Sequence, residues 1–200
     1  MFIKKNFTSF APLLIQKFTD MKKVLLLLAL VCLLGVSSQA QEILKKGDIV
    51  VDARVGFGSY NAYYRMALPP ISVTGEYGIV DNLIGGKNGS IGVGAYVGVA
   101  GYKWVEDKMF RMTVGARGVF HYQFIDKLDT YAGIMLGLDI RNFKDYYYYS
   151  PDELADRYTR MGLAHSEFVG ARYYFTDNIA VNAEFGYGIS YFSVGASFKL

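Results

Sequence analysis

The sequence predicts an all-β protein, an eight-stranded antiparallel up-and-down transmembrane β-barrel. Three observations predict it. Eight segments between Asp48 and Leu200 alternate apolar and polar residues with period two, which puts each set on its own face of a strand. The face opposite Val, Ile, Leu and Phe carries Gly, Ser, Thr, Asn, Tyr and charge. Although 52% of the 200 residues are hydrophobic, the longest unbroken apolar run is Val24–Leu34, about half of the ~20 residues a membrane helix needs.

The first segment, Asp48 to about Tyr60, sets Ile49, Val51, Ala53, Val55 and Phe57 against Asp52, Arg54, Gly56 and Gly58. After a loop, the second (Pro70–Val80) opposes Ile71, Val73 and Tyr77 to Ser72, Thr74 and Glu76. Gly-Gly and Asn-Gly signals mark a turn over 81–88. The third (Ser90–Trp104) alternates Ile91, Val93, Ala95, Val97 and Val99 with Gly92, Gly94, Tyr96 and Gly98. The fourth (Met109–Gln123) sets Met112, Val114, Ala116 and Phe120 against Arg111, Thr113, Gly115 and Arg117.

A turn at 125–129 leads to the fifth segment (Thr130–Asn142), where Ala132, Ile134, Leu136, Leu138 and Ile140 oppose Tyr131, Gly133, Gly137, Asp139 and Arg141. The longest loop, 143–161, contains Ser150-Pro151-Asp152-Glu153, an N-cap followed by Pro at the first helical position, which predicts a short helix. The sixth segment (Leu163–Phe175) places Val169, Ala171 and Tyr173 outside and Gly170, Arg172 and Tyr174 inside. The last two form a hairpin: Ile179, Val181, Ala183, Phe185 and Tyr187 alternate with Ala180, Asn182, Glu184, Gly186 and Gly188, and Phe192, Val194, Ala196, Phe198 and Leu200 with Tyr191, Ser193, Gly195, Ser197 and Lys199.

A soluble barrel packs its apolar face inward. Here the opposite face would make a poor core, because it is glycine-rich and would bury charge. Turned inside out, the same pattern meets lipid with its apolar side and fills a narrow lumen with small and paired charged residues. Closure leaves no unpaired strand edge in hydrocarbon. Segments of about 9 to 13 residues suit tilted membrane strands. Tyr60, Trp104, Tyr122, Phe124, Tyr173, Tyr187 and Tyr191 fall near segment ends, where interfacial girdles form. Connections at 60–70, 104–109, 142–162 and 186–191 then face outward, and those at 80–90, 123–129 and 175–179 face the periplasm.

The amino-terminal region reads as targeting. Lys22-Lys23, the apolar run and Ser38-Gln39-Ala40 make a secretory signal peptide over 21–40 with cleavage after Ala40. Residues 1–20 are an over-extended start or a long n-region, and 41–200 form the barrel domain. Cys32, the sole cysteine, lies inside the signal, so the mature chain is expected to lack disulfides and Cys-based metal sites. The net charge of +3 is carried by the leader. With its five lysines and one aspartate removed, 16 basic residues face 17 acidic ones, and a nucleic-acid partner is not expected.

The stretch ARYYFTDNIAVNAEFGYG, followed by an aromatic-ended last strand, resembles the C-terminal hairpin of small outer-membrane β-barrel proteins of OmpA/OmpX-like type. The resemblance spans about Gly47–Leu200. It implies the outer membrane of a Gram-negative cell, outer-membrane lipid and lipopolysaccharide as surroundings, and insertion by the barrel-assembly machinery. The family usually ends in Phe, whereas this chain has Phe198 and then Leu200.

Alternation directs Asp52, Arg54, Glu76, Arg117, Asp139, Arg141, Arg172 and Glu184 into the lumen, where isolated charges are costly and pairing is expected. The pairing itself cannot be read without the barrel's shear. Tyr146, Tyr147, Tyr148 and Tyr149 in the longest outward loop are contact candidates. The mature chain has two histidines. His165 and Ser166 are neighbours and point to opposite faces, which excludes a direct base–nucleophile pair, and His121 is expected near the periplasmic rim. No phosphate loop or dinucleotide fingerprint occurs, so no cofactor is expected. The expectation is a non-enzymatic monomer with a structural or surface-interaction role through its outward loops. A narrow channel for small solutes is the alternative, and a lipid-modifying enzyme comes third.

Overall fold

The computed structural model describes residues 44–58, 65–84, 88–104, 107–146 and 155–200, with backbone alone at 104, 145, 146, 155 and 156. The segments assigned to a long n-region and a signal peptide lie outside the described residues. So do Tyr60, Tyr147–Tyr149 and the helix expected at Ser150–Glu153.

Eight strands run in chain order: β1 (Ile49–Phe57), β2 (Arg65–Leu83), β3 (Gly89–Trp104), β4 (Asp107–Ile125), β5 (Leu128–Tyr146), β6 (Ala155–Tyr174), β7 (Ile179–Gly186) and β8 (Phe192–Lys199). Each pairs antiparallel with the next, and β8 pairs with β1, so the sheet closes as an up-and-down barrel. The end carrying Ile49 and Lys199 is called the near end below. The hairpins after β1, β3, β5 and β7 lie at the far end.

Alternation becomes inside and outside as predicted. Val73, Val97, Val114 and Leu138 lie opposite one another across β2–β5 and continue to Leu163 on β6. They form one row of an apolar outer wall that also exposes Phe57, Ile134, Leu136, Val169, Phe185 and Phe198. Two polar residues interrupt this wall on β6: Glu167 is exposed, and His165 stacks on Tyr187 at 5.8 Å. Aromatic pairs collect at strand ends. Tyr122–Phe124 (4.7 Å) and Tyr173–Phe175 (5.5 Å) lie at the near end, and Phe185–Phe192 (4.5 Å) and Tyr187–Tyr191 (6.0 Å) towards the far end. Trp104 closes β3 by its backbone.

Three expectations change. The loop placed at 143–161 is largely strand, because β5 and β6 stay paired out to Tyr146 and Ala155. Phe143 stacks flat on Tyr158 (4.9 Å, 11°), the Arg160 guanidinium lies over both rings, and the Thr159 hydroxyl donates to Asn142 at 2.7 Å. Beyond the apolar wall neither face demands hydrophobic residues, so alternation fades while backbone pairing continues. β2 likewise starts earlier than predicted, at Arg65, through a stretch with register shifts near Met66 and Leu68. Tyr191, assigned inward, is exposed: residues 187–191 leave the ladder, and the turn buries Ile189 instead.

The near end is partly covered by the segment that precedes β1. At the near end the Gly47 amide donates to the Gly78 carbonyl and the Lys46 amide to Asp81 (3.0 Å), which seats the buried Leu44 beside Gly78. At the seam of the barrel, a Cβ on Gly195 would run into the Ala53 carbonyl oxygen and the Arg54 Cα, both backbone of β1. Gly195→Val is therefore expected to block closure of β8 on β1, since neither strand can yield without breaking its ladder. The predicted readout is loss of the compact, heat-modifiable band on an unboiled gel, with Val194→Ala on the outer face retaining it.

Candidate functional site

Among the described residues the lumen holds the largest cluster of charged side chains, and the strand period puts it there. Asp52 and Arg54 are two residues apart on β1, and the same alternation turns Glu76 (β2), Arg117 and His121 (β4), Asp129 and Tyr131 (β5), Arg172 (β6) and Glu184 (β7) inward. All are buried.

Arg172 is the hub. Its guanidinium donates to Asp52 (3.0 and 3.1 Å), Glu76 (2.8 Å) and Asp129 (3.0 Å), and lies 4.5 Å above the Tyr131 ring. On the near side His121 closes the cluster: Nδ1 meets Asp129 at 2.9 Å and Nε2 meets Glu76. On the far side Asp52 also accepts from Arg54 (3.0 Å) and the Thr74 hydroxyl (2.7 Å). Arg54 reaches Glu184 at 3.2 Å, which Arg117 (2.7 Å) and the Tyr131 hydroxyl (3.1 Å) also engage. Arg117 rests 3.7 Å over the Phe168 ring. One connected network thus runs from β1 to β7.

Four carboxylates (Asp52, Glu76, Asp129 and Glu184) face three guanidiniums and one imidazole. A ring whose two nitrogens both meet carboxylates is suited to donate from both, as the imidazolium does, and in that form positive and negative charges are equal in number. Such a network is stable only when every member is satisfied, because removal of one partner strands a buried charge.

Toward the far end the lumen turns apolar, with Tyr96, Tyr102, Met109, Met135, Phe168 and Ile189 in one cluster. Between the two zones lies a cavity of about 20 Å³ of water-accessible space, lined among others by Ser72, Ser166, Ser193, Arg117 and Glu184. That is room for about one water molecule. Beside this apolar cluster Asp139 accepts from Arg111 (2.7 Å) and Arg141 (2.6 Å), and Arg111 donates to the Gly188 carbonyl (3.3 Å).

Of the eight charges assigned to the lumen, seven are buried there. Arg141 shares their face but sits at the far mouth with its side chain 47% exposed. Tyr146 ends β5 by its backbone. The lumen also holds Asp129, His121, Arg111 and Tyr131, which were not among the predicted site residues. Their signal is present: all four continue the inward parity of β4 and β5, and Asp129 falls in the turn expected at 125–129, whose last two residues belong to β5. His121 lies within the cluster, where both nitrogens are occupied by carboxylates, and is not at the rim. Ser166 points into the lumen while His165 faces outward.

A closed eight-stranded sheet with an apolar wall outside and ionic side chains within is the architecture of the small membrane-spanning barrels. Solved structures similar to this chain are of that class. Ail, the attachment invasion locus protein of Yersinia pestis, is 13% identical, with 78% of this chain and 99% of that one covered at a TM-score of 0.49. The N-terminal β-barrel domain of Pseudomonas aeruginosa OprF is 14% identical, with 78% and 98% covered at 0.47. The outer membrane protein OprG of Pseudomonas aeruginosa is 11% identical, with 81% and 98% covered at 0.47. No protein-family model and no curated relative matches the chain.

Proposed function

We propose that the protein is a non-enzymatic barrel of a Gram-negative outer membrane, and that it works through its far end as a structural or surface-contact element. The observation that carries this reading is the filled lumen. An ionic network and an apolar cluster that includes the inturned Ile189 occupy the lumen, and the cavity they line together has room for about one water molecule. An eight-stranded barrel has just enough interior for its own side chains. Chemistry inside it has little support: both His121 nitrogens are held by carboxylates, and His165 faces the outer wall. At the far end β5 and β6 stay paired out to Tyr146 and Ala155, which extends the wall past the apolar zone.

Two measurements test the proposal. The purified chain folded in detergent is expected to migrate differently boiled and unboiled, with β-rich circular dichroism. Reconstituted in a planar bilayer, it is expected to give no stepwise conductance. Regular single-channel steps would favour the narrow-channel alternative, and solubility without detergent would overturn the membrane assignment.

A further inference from the structure

Within the apolar band of the outer wall, the described strands carry one acid and one histidine, and the two stand side by side. His165 and Glu167 both take the outward parity of β6 and are exposed. Met161 and Leu163 lie above them on the same strand and Val169 and Ala171 below, so the pair sits inside the band and not at its rim. Across to β5, His165 pairs with Leu136 and Glu167 with Ile134. Towards β7 the His165 ring stacks on Tyr187 at 5.8 Å, and the Tyr187 amide donates to the Glu167 carbonyl at 3.1 Å.

The register flanks the Glu167 carboxylate with Ile134, Val169 and Phe185, none of which can donate to it. A carboxylate facing acyl chains is costly, and an ionisable side chain at membrane depth is by default a functional contact. The apolar residues around the pair are also the more open part of the wall. Leu163, Met161, Ile134, Phe185 and Leu136 are more exposed than Val73, Val97 or Val194 elsewhere on it.

Two features select the partner. The patch holds a donor beside an acceptor, so it is complementary to itself, as an isologous interface requires. A second copy inserted in the same sense presents both groups at matching depths, whereas a different protein would have to match depth and order together. Barrel strands tilt by roughly 40°, so a two-fold axis along the membrane normal, passing through Ser166, crosses the two β6 strands at about 80°. His165 and Glu167 of one copy then fall on opposite sides of the axis. Each His165 stands over Glu167 of the second copy, with roughly 5 Å of depth between the two positions. That gap is within reach of the two side chains.

We propose that His165 and Glu167 form the polar centre of a homodimer interface on the outer wall of β5 and β6, each His165 ring donating to Glu167 of the second copy. Hydrogen bonding and packing hold such a contact, because lipid is as apolar as the wall itself. Resting on the outer-membrane reading above, this interface departs from the monomer expected from the sequence.

The test uses the full barrel reconstituted in phospholipid vesicles at a low protein-to-lipid ratio, with one cysteine introduced on the outer wall. The sole natural cysteine, Cys32, lies ahead of the barrel. The row from Glu167 to Ile134 runs back towards the axis, so Ile134→Cys is expected to cross-link to a second copy through a short bis-maleimide. Val73→Cys, on the opposite side of the barrel, is not. Adding His165→Leu/Glu167→Leu should slow cross-linking of Ile134→Cys roughly tenfold or more. The heat-modifiable band should persist in that variant, since two costly groups have left the lipid face. The exchange His165→Glu/Glu167→His again places a donor over an acceptor and should restore the rate. Equal cross-linking by Ile134→Cys and Val73→Cys, an unchanged rate in the doubly apolar variant, or no recovery in the exchanged one overturns the proposal alone. A chain that forms no heat-modifiable band in any condition overturns the membrane reading and this inference with it.

Discussion

Replacing Arg172 by alanine is expected to cost the barrel at least about 3–5 kcal/mol, the range for breaking a buried ion pair from one side. The figure belongs at the upper end or beyond, because this guanidinium serves three carboxylates at once, Asp52, Glu76 and Asp129. Its loss leaves the His121 ring as the remaining partner of Glu76 and Asp129 on the near side of the network. Asp52 keeps Arg54, which is already shared with Glu184. Arg172→Lys should be intermediate: a point charge cannot bridge three acceptors as a planar fork does. Arg141→Ala is the matched control. That side chain is 47% exposed and Asp139 retains Arg111, so the change should stay under about 1 kcal/mol. Urea titration of the three variants in detergent or lipid, read by band mobility, gives the order. Equal stability of Arg172→Ala and Arg141→Ala would contradict a network centred on Arg172.

The second large effect concerns the outer wall. Val73 lies halfway along the paired length of β1 and β2, opposite Ala53 and Val97, and is 47% exposed. In a soluble barrel Val73→Arg would be a tolerated surface change. In a bilayer it should cost about 2–4 kcal/mol, whereas Ile49→Arg at the strand end should cost about 0–1 kcal/mol. The depth dependence is the informative quantity. A flat response, or a Val73→Arg protein that becomes soluble without detergent, would turn inside and outside around.

Both predictions depend on a division of labour between sequence and fold. The two faces of each strand were legible because a period of two follows from backbone geometry. Val51 and Asp52 cannot share a side, and a residue's neighbours two places away declare which side is which. The wall, the closing hairpin of β7 and β8, and the inward turn of Asp52, Glu76 and Arg172 follow from that rule. The rule also explains where the reading stopped. Past the apolar zone both faces of β5 and β6 are polar, so nothing in the pattern announced that Phe143 and Tyr158 still stand on paired strands.

Partners, by contrast, were decided only in three dimensions. Arg172 and Asp52 are 120 residues apart in the chain and touch because the barrel closes with a particular stagger. Arg54 of β1 and Glu184 of β7 meet for the same reason. No local pattern encodes such a meeting. The sequence by itself determined which side of the wall each residue of a regularly alternating strand occupies, because that depends on the backbone alone. The tertiary structure decided which residue it meets there, because register is a property of neighbouring strands taken together.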